Sequence, residues 1–303
     1  MLIANIAIVA TVLAWGIQIP FMAELLHRYE PWFLSVWRYA PAAPLLLLVL
    51  WLREGAAVLP RAGEWGRLWL LGVVGIAGFA VTYTLGIRYA DPVLVAIISS
   101  SAPITSAAIA WALRGDRPNR HLAVASVLAI LGCLLASLDV ASLLRGDGAR
   151  IGFRGGELLI VLAQAIWSWY SIKAQEWFKG SSQLRLTSLT VATATGALVA
   201  IYAACLGSGA VPPPAPPGAG DAWMLAFLVV GPVMIGAVGW NTAVRHLGIV
   251  LCSIALNLMP VVAVLAGIPF GYKPTFEQLG GGLIVLAGIV YAQLMQARAR
   301  RAA

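Results

Sequence analysis

Ten apolar stretches, each close to the length that crosses a bilayer, constrain this chain more than any other feature. A helix needs about 20 apolar residues to span the hydrocarbon core. Only 11% of the residues are charged, against about 25% in ordinary soluble domains. The sequence therefore predicts an all-α polytopic membrane protein whose ten transmembrane helices run over Leu2–Leu25, Pro31–Leu52, Trp65–Ile87, Pro92–Leu113, His121–Leu138, Glu157–Trp177, Leu184–Leu206, Ala222–Val244, Val250–Phe270 and Phe276–Met295.

The distribution of basic residues orients these spans. An even number of spans places both termini on one side, and thirteen of the 20 Lys and Arg residues fall on that side, against six on the other, with Arg38 set aside as embedded. Basic residues accumulate on the cytoplasmic side of membrane helices. The net charge of +8 is thus attributed to topology and not to nucleic-acid binding. We expect a multi-pass protein of a bacterial-type inner membrane with both termini in the cytoplasm.

Residues that serve metal and nucleophile chemistry are few and scattered. The cysteines lie in apolar runs without a CxxC spacing, and the histidines lie at span ends, far apart in the sequence. This pattern predicts no cofactor, no metal site and no Ser-His or Cys-His catalytic pair. The residues concerned are Cys133, Cys205, Cys252, His27, His121 and His246.

An internal repeat connects the two halves of the chain. Residues Arg88–Pro103 and Arg245–Pro260 align without a gap at an offset of 157, and five of the sixteen positions are identical, including the Arg and Pro at the two ends. The alignment predicts a first five-helix repeat over residues 1–140, an external connecting loop over 141–156 and a second five-helix repeat over 157–303. Five is odd, so the second repeat would enter the membrane inverted, as in many transporters.

Five motifs carry a family resemblance, namely Trp15-Gly16, Trp37-Arg38-Tyr39-Ala40, Leu85–Ala90, Ser99–Pro103 and Leu128–Ser137. The chain resembles the drug/metabolite transporter superfamily in its ten-helix EamA-type branch, and within that branch the aromatic amino acid exporters of the YddG type. This resemblance implies export of small organic metabolites by alternating access, with amino acids, and aromatic ones in particular, as substrates. Two tripeptides depart from the family's Gly-Glu-Arg step, Gly115-Asp116-Arg117 and Gly271-Tyr272-Lys273.

Aromatic and polar residues at helical spacing supply candidate substrate contacts. Eight of the twelve tryptophans lie near span ends, as interface anchors do, whereas the others lie deeper. Stripes that mix aromatic and polar side chains are costly toward lipid, and we interpret them as lining a cavity. Hydrogen bonding between helices is the alternative. The candidates for substrate binding are Trp15, Gln18, Tyr83, Ser99, Gln164, Trp167, Ser171, Trp240 and Asn257.

Two aligned prolines and two embedded cations complete the set. Pro103 and Pro260 remove the helical hydrogen bond to the carbonyl four residues earlier, which favours a helix break with a gating role, although a passive kink is the alternative. Arg38 is predicted to extend toward the outer interface. Lys173 is predicted to do the same on the cytoplasmic side, with contact to a substrate carboxylate as the alternative.

The sequence favours a carrier over two rivals. A drug or organic-cation exporter of the same fold is the alternative within the class. An integral membrane enzyme acting on lipid is the alternative from another class, and it would need a nucleophile–base pair that the sequence does not offer at membrane depth. The expected partners are a small-molecule substrate and the lipid bilayer, without nucleic acid, and a monomer is expected, with a dimer as the alternative.

Both termini should be cytoplasmic, because thirteen of the Lys and Arg residues fall on the side of the termini. A C-terminal alkaline phosphatase fusion should be inactive, whereas a C-terminal fluorescent protein fusion should be bright. The reverse pattern would contradict the ten-span topology and the inversion of the second half.

Overall fold

The computed structural model describes residues 2–55, 59–90, 98–99, 101–117, 120–137, 155–214, 216–271 and 276–302. These residues form helices and connecting turns, with no strand among them. Ten helical stretches follow one another: α1 Leu2–Leu25, α2 Pro31–Glu54, α3 Trp65–Tyr89, α4 Ala102–Arg114, α5 Arg120–Ser137, α6 Gly156–Trp177, α7 Gln183–Gly207, α8 Ala222–Leu247, α9 Ile249–Phe270 and α10 Phe276–Ala302.

The all-α prediction is confirmed. Six of the described helices are long and apolar enough to cross a membrane, namely α1, α2, α3, α7, α8 and α9. Shorter apolar stretches occur in α5 and α10, over Arg120–Gly132 and Leu279–Met295. Residues 91–97 of the predicted fourth span and residues 141–154 of the predicted connecting loop lie outside the described residues.

Local sequence signals mark the ends of the helices. Pro31 begins α2, where its fixed φ angle suits the first turn, and the Glu30 side chain accepts a hydrogen bond of 2.7 Å from the Trp32 N–H. Ser182 caps α7 by accepting a bond of 3.0 Å from the Arg185 N–H. Gly115 follows α4 with a φ of 72°, in the left-handed region that glycine adopts without strain.

Two helices contain a π-helical segment of eight residues at matching positions. In α3 the π segment covers Leu71–Gly78, and in α8 it covers Val229–Gly236. The second segment begins 158 residues after the first, within one residue of the repeat offset. Because π-helices are rare and concentrate at functional sites, two of them at one offset mark both helices as specialised.

Helix interruptions also recur at the repeat offset. The helix of α4 begins at Ala102, directly after a turn at Ser101, with Pro103 in its first turn. In α9 a turn at Asn257 and Leu258 separates two helical segments, and Pro260 lies in the first turn of the second segment. Proline is well tolerated at the start of a helix, which explains why each new segment begins there.

Two ion pairs follow the same offset. Arg28 Nη1 lies 3.1 Å from Asp221 Oδ1, and Arg185 Nη2 lies 2.7 Å from Glu64 Oε2. Arg185 stands 157 positions after Arg28, and Asp221 stands 157 positions after Glu64. Arg28 lies in the turn before α2 and Arg185 in the first turn of α7, while their partners Asp221 and Glu64 directly precede α8 and α3. Each pair thus joins the beginnings of two helices.

The chain divides into two compact units, each with residues from both halves of the sequence. Unit 1 comprises Met1–Val81 and Trp169–His246, and unit 2 comprises Thr82–Ser168 and Leu247–Ala303. In unit 1, α2 packs on α7, α1 packs on the π segment of α8, and the π segment of α3 packs on α7. In unit 2, α5 packs on α10, and α4 packs on α9. An aromatic and aliphatic core of unit 1 contains Phe21, Leu25, Tyr29, Phe33, Leu34, Tyr202, Met224, Leu225 and Leu228.

Glycines bring the helices of unit 2 close together. A Cβ atom added at Gly132 on α5 would lie 2.8 Å from the Val285 side chain on α10. A Cβ atom added at Gly288 on α10 would lie 3.2 Å from Leu128 on α5. Small residues permit this approach, and dispersion contacts between helices are a main source of attraction in lipid.

The Arg185–Glu64 pair should make stability depend on pH. The Arg185 guanidinium, through its hydrogen bonds, holds the pKa of Glu64 below its ordinary value of 4.5. A carboxyl group with a lowered pKa in the folded state stabilises the protein above its unfolded pKa, and this contribution is lost as the pH falls through the folded pKa. Glu64→Gln should therefore cost about 1–3 kcal/mol at pH 7, measured by thermal unfolding in detergent, and progressively less below about pH 4.5.

The control for this prediction is the same change in an Arg185→Gln background. There the substitution should have a small effect without that pH dependence, because the cation that lowers the pKa is gone. An equal effect of Glu64→Gln in both backgrounds would contradict the assignment.

Candidate functional site

The candidate residues divide between the two units. Trp15, Gln18, Ser171 and Trp240 belong to unit 1. Unit 2 contains the other seven, which are Tyr83, Ser99, Pro103, Gln164, Trp167, Asn257 and Pro260.

Three of the candidates in unit 1 lie together. The rings of Trp15 and Trp240 are 5.5 Å apart with an interplanar angle of 33°. Trp240 is fully buried, and its Nε1–H donates a hydrogen bond of 2.9 Å to Ser171 Oγ. Trp15 is only partly buried. Trp240 and Ser171 therefore position the indole of Trp15, the member of this group that keeps exposed surface.

Trp15 also satisfies irregular backbone in α8. Its Nε1–H donates a bond of 2.9 Å to the Pro232 carbonyl. One turn earlier in α1 the Thr11 hydroxyl lies 3.1 Å from the Gly236 carbonyl and 2.8 Å from the Ala7 carbonyl of its own helix, so these two carbonyls share its donor. Both carbonyls belong to the π segment of α8. A Cβ atom at Gly236 would collide with Trp15 Nε1. Two side chains of α1 thus supply donors to backbone that departs from regular α-helix geometry.

Gln18 lies one turn after Trp15 and contacts an arginine. Gln18 Oε1 accepts a hydrogen bond of 3.0 Å from Arg38 Nη1 on α2, and the Arg38 guanidinium lies 5.6 Å from the ring centre of Tyr39. The sequence alone predicted an Arg38 side chain extended toward the membrane interface. The structure instead places its terminal nitrogen on a candidate substrate-binding residue.

Arg245 forms a second polar network in unit 1, which the sequence analysis did not predict. Arg245 donates through Nε to Gln175 Oε1 at 3.0 Å, through Nη1 to the Ser181 carbonyl at 2.8 Å and through Nη2 to the Phe178 carbonyl at 3.2 Å. Lys173 Nζ lies 2.7 Å from Glu176 Oε2, one turn later in α6. The Arg245 contacts join α8 to α6 and to the turn that follows α6, whereas the Lys173 contact lies within α6.

In unit 2, Gln164 binds the backbone at the interruption before α4. Its Nε2 donates a bond of 2.7 Å to the Ile98 carbonyl, and its Oε1 accepts a bond of 3.0 Å from the Thr105 hydroxyl. The Ser101 N–H also donates to the Ile98 carbonyl, at 3.0 Å. Gln164 therefore joins the two sides of the interruption, a role that requires both atoms of its amide.

A buried group of three serine hydroxyls joins α4, α6 and α9. Ser106 Oγ lies 2.8 Å from Ser253 Oγ and 3.1 Å from Ser168 Oγ, and each residue is 3% exposed. None of these three serines is among the substrate-binding candidates named from the sequence. The sequence shows only that these serines lie in apolar helices. It does not distinguish a serine that bonds a neighbouring helix from one that bonds its own backbone.

The remaining candidates in unit 2 lie at or near the helix interruptions. Asn257 is 4% exposed and occupies the turn of α9 that precedes Pro260. Tyr83 is partly buried in α3, and Ser99, also partly buried, lies two residues before the turn at Ser101 that precedes α4. Trp167 is partly buried and follows Gln164 by one turn of α6. Within the described ranges no cluster of three or more His, Cys, Asp or Glu residues could hold a metal ion.

Comparisons with known proteins agree with this architecture. The sequence model of the EamA-like transporter family matches residues 2–138 and 154–293. "Uncharacterized transporter YyaM" of Bacillus subtilis strain 168 is 25% identical over 87% of this chain and 85% of its own length. "Probable terminal-alkyne amino-acid exporter" of Streptantibioticus cattleyicolor is 23% identical over 94% of this chain and 91% of its own length. A solved crystal structure, described only as that of a protein, superposes with a TM-score of 0.77 at 18% identity, over 97% of this chain and 98% of that chain.

Gly236→Ala should destabilise unit 1, because the added methyl group would displace Trp15 from the Pro232 carbonyl. The expected cost is about 1–3 kcal/mol, the usual range for overpacking, measured as a lower thermal midpoint in detergent. Gly196→Ala is the matched control, since its added Cβ would meet nothing within 4 Å. Equal midpoints for the two variants would contradict the contact.

Proposed function

The chain belongs to the EamA-like transporter family, and we propose that it exports amino acids, aromatic ones above all, by alternating access across a bacterial inner membrane. The family and its relatives make the protein a multi-pass membrane transporter of a small molecule and not an enzyme. The substrate class, the direction and the cytoplasmic position of both termini form the proposal.

One relative supports the substrate class. The Streptantibioticus cattleyicolor protein, which aligns with 94% of this chain, carries a name that includes amino-acid export. An amino acid offers a side chain and two charged groups, and a carrier for it must match both. An aromatic side chain requires apolar rings, whereas the charged groups require polar partners in a medium where isolated charges are costly.

The observation that carries the proposal is a pair of indole rings at mid-helix positions, those of Trp15 and Trp167, each one turn from a glutamine. Trp15 on α1 and Trp167 on α6 are partly buried, whereas Trp240 is enclosed. Aromatic pairs gain about 0.5–1.5 kcal/mol beyond the burial of their area. We therefore propose ring contact with the substrate for Trp15 of unit 1 and, independently, for Trp167 of unit 2. Gln18 and Gln164 act beside them, Gln18 through its contact with Arg38 and Gln164 through the backbone that it holds.

We further propose that residues 1–140 and 157–303 are inverted repeats of five helices each. The family model matches two segments of similar length, one in each half. The π segments, the interruptions before Pro103 and Pro260, and the two ion pairs recur at an offset of 157 or 158. Inverted repeats are common in transporters because they let one fold open to either side. Under this proposal the paired interruptions serve gating.

Uptake of labelled amino acids into proteoliposomes that contain only this protein tests the proposal. Trp15→Ala and Trp167→Ala should each lower the ratio of phenylalanine or tryptophan uptake to alanine uptake by roughly tenfold, which corresponds to about 1.4 kcal/mol. Alanine offers no ring, so its uptake should change less.

Exposed tryptophans supply the controls for this experiment. Trp69 and Trp111 are each 59% exposed, and Trp69→Ala and Trp111→Ala should leave the ratio unchanged at matched protein amounts. An unchanged ratio in both test variants would remove these rings from the substrate site. Uptake of organic cations without uptake of amino acids would favour the drug-exporter alternative.

A further inference from the structure

Arg38 is a membrane-embedded cation with unused hydrogen-bonding capacity. It lies seven residues into α2, about 10 Å along the helix from Pro31. Its Nη1 donates to Gln18 Oε1 at 3.0 Å, while its Nε is buried and has no hydrogen-bond partner among the described residues. Gln18 is neutral, so this contact orients the guanidinium group without balancing its charge.

Three other cations in the helices of unit 1 are engaged by the protein itself. Arg185 lies against Glu64, and Lys173 lies against Glu176. Arg245 uses all three of its nitrogens on Gln175 and two backbone carbonyls. These three residues show how the fold satisfies an embedded cation when that cation is structural, and Arg38 departs from the pattern.

Gln18 corresponds to Gln175 in the repeat, so the arginines that bind these two glutamines can be compared directly. Gln175 stands 157 positions after Gln18, and each glutamine oxygen accepts a hydrogen bond of 3.0 Å from an arginine. At Gln175 the arginine is Arg245, whose remaining donors are consumed by carbonyls. At Gln18 the arginine is Arg38, whose Nε remains free for another acceptor.

The chemistry of guanidinium identifies that acceptor. Nε and Nη2 form one edge of the group, and their parallel N–H bonds match the two oxygens of a carboxylate. Gln18 engages Nη1 and leaves this edge open. An unbalanced charge at membrane depth is expensive, and an anion that arrives with the substrate would offset that cost.

We propose that Arg38 receives the carboxylate group of the transported molecule through Nε and Nη2, with Gln18 as the residue that holds the guanidinium group in place. This inference rests on the proposed function and names the chemical group by which the substrate is selected. It also excludes substrates whose only charge is positive, because like charges repel in a medium of low dielectric constant.

Three probes of nearly equal shape separate charge recognition from ring recognition. These are L-phenylalanine, L-phenylalaninamide, which lacks the negative charge, and phenethylamine, which lacks the whole carboxylate. Wild-type proteoliposomes should take up phenylalanine at least tenfold better than either analogue. Arg38→Gln should abolish this preference, because phenylalanine uptake should fall when the cation that binds its carboxylate is lost, and uptake of the two cationic analogues should rise when the like-charge repulsion is removed. Arg38→Lys keeps the charge but loses the bidentate edge and should restore the preference in part.

Arg245→Gln is the matched control. It removes an arginine from the second glutamine and should lower the thermal midpoint while the preference for phenylalanine stays. A preference that persists in Arg38→Gln at wild-type strength would overturn the inference, and the same result is expected if Arg38 only binds a lipid phosphate or extends to the interface. Wild-type vesicles that take up none of the three probes would instead overturn the proposed function.

Discussion

The hydrocarbon core of a bilayer offers no hydrogen-bond partner, so each backbone group that leaves the regular helix must be satisfied by the protein. In α8 the carbonyls of Pro232 and Gly236 receive the indole of Trp15 and the hydroxyl of Thr11. Near the start of α4 the Ile98 carbonyl receives the amide of Gln164. Trp15, Thr11 and Gln164 therefore bond irregular backbone at membrane depth, and two of them, Trp15 and Gln164, are also candidate site residues.

This constraint gives several candidate residues two roles at once. Trp15 holds α1 against α8 through its nitrogen and keeps part of its ring exposed. A residue of this kind cannot be replaced without affecting both packing and substrate contact. For that reason a change in total activity says little about its function, whereas a ratio between two substrates reports on contact alone.

Much of the architecture could be read from the sequence, because apolar length and the positions of proline depend on local chemistry. The ten helices and the interruptions at Pro103 and Pro260 belong to this class. The π segments could not be predicted, since Leu71–Gly78 is as apolar and glycine-rich as a regular membrane helix. The contacts of Ser106 with Ser168 and of Arg38 with Gln18 were also missed, because they depend on which helices become neighbours and not on spacing within one helix.

The composition of the two units has a consequence for biosynthesis. Thr11 and Trp15 emerge early from the ribosome, but their carbonyl partners lie 225 and 217 residues later in the chain. Trp15 must therefore wait in the bilayer without its Pro232 acceptor until the eighth helix has been inserted, whereas Thr11 can bond the Ala7 carbonyl of its own helix in the meantime. Unit 1 completes its tertiary structure only after most of the protein has been translated, so a truncated chain that ends before α8 would expose α1 to chaperones and membrane proteases.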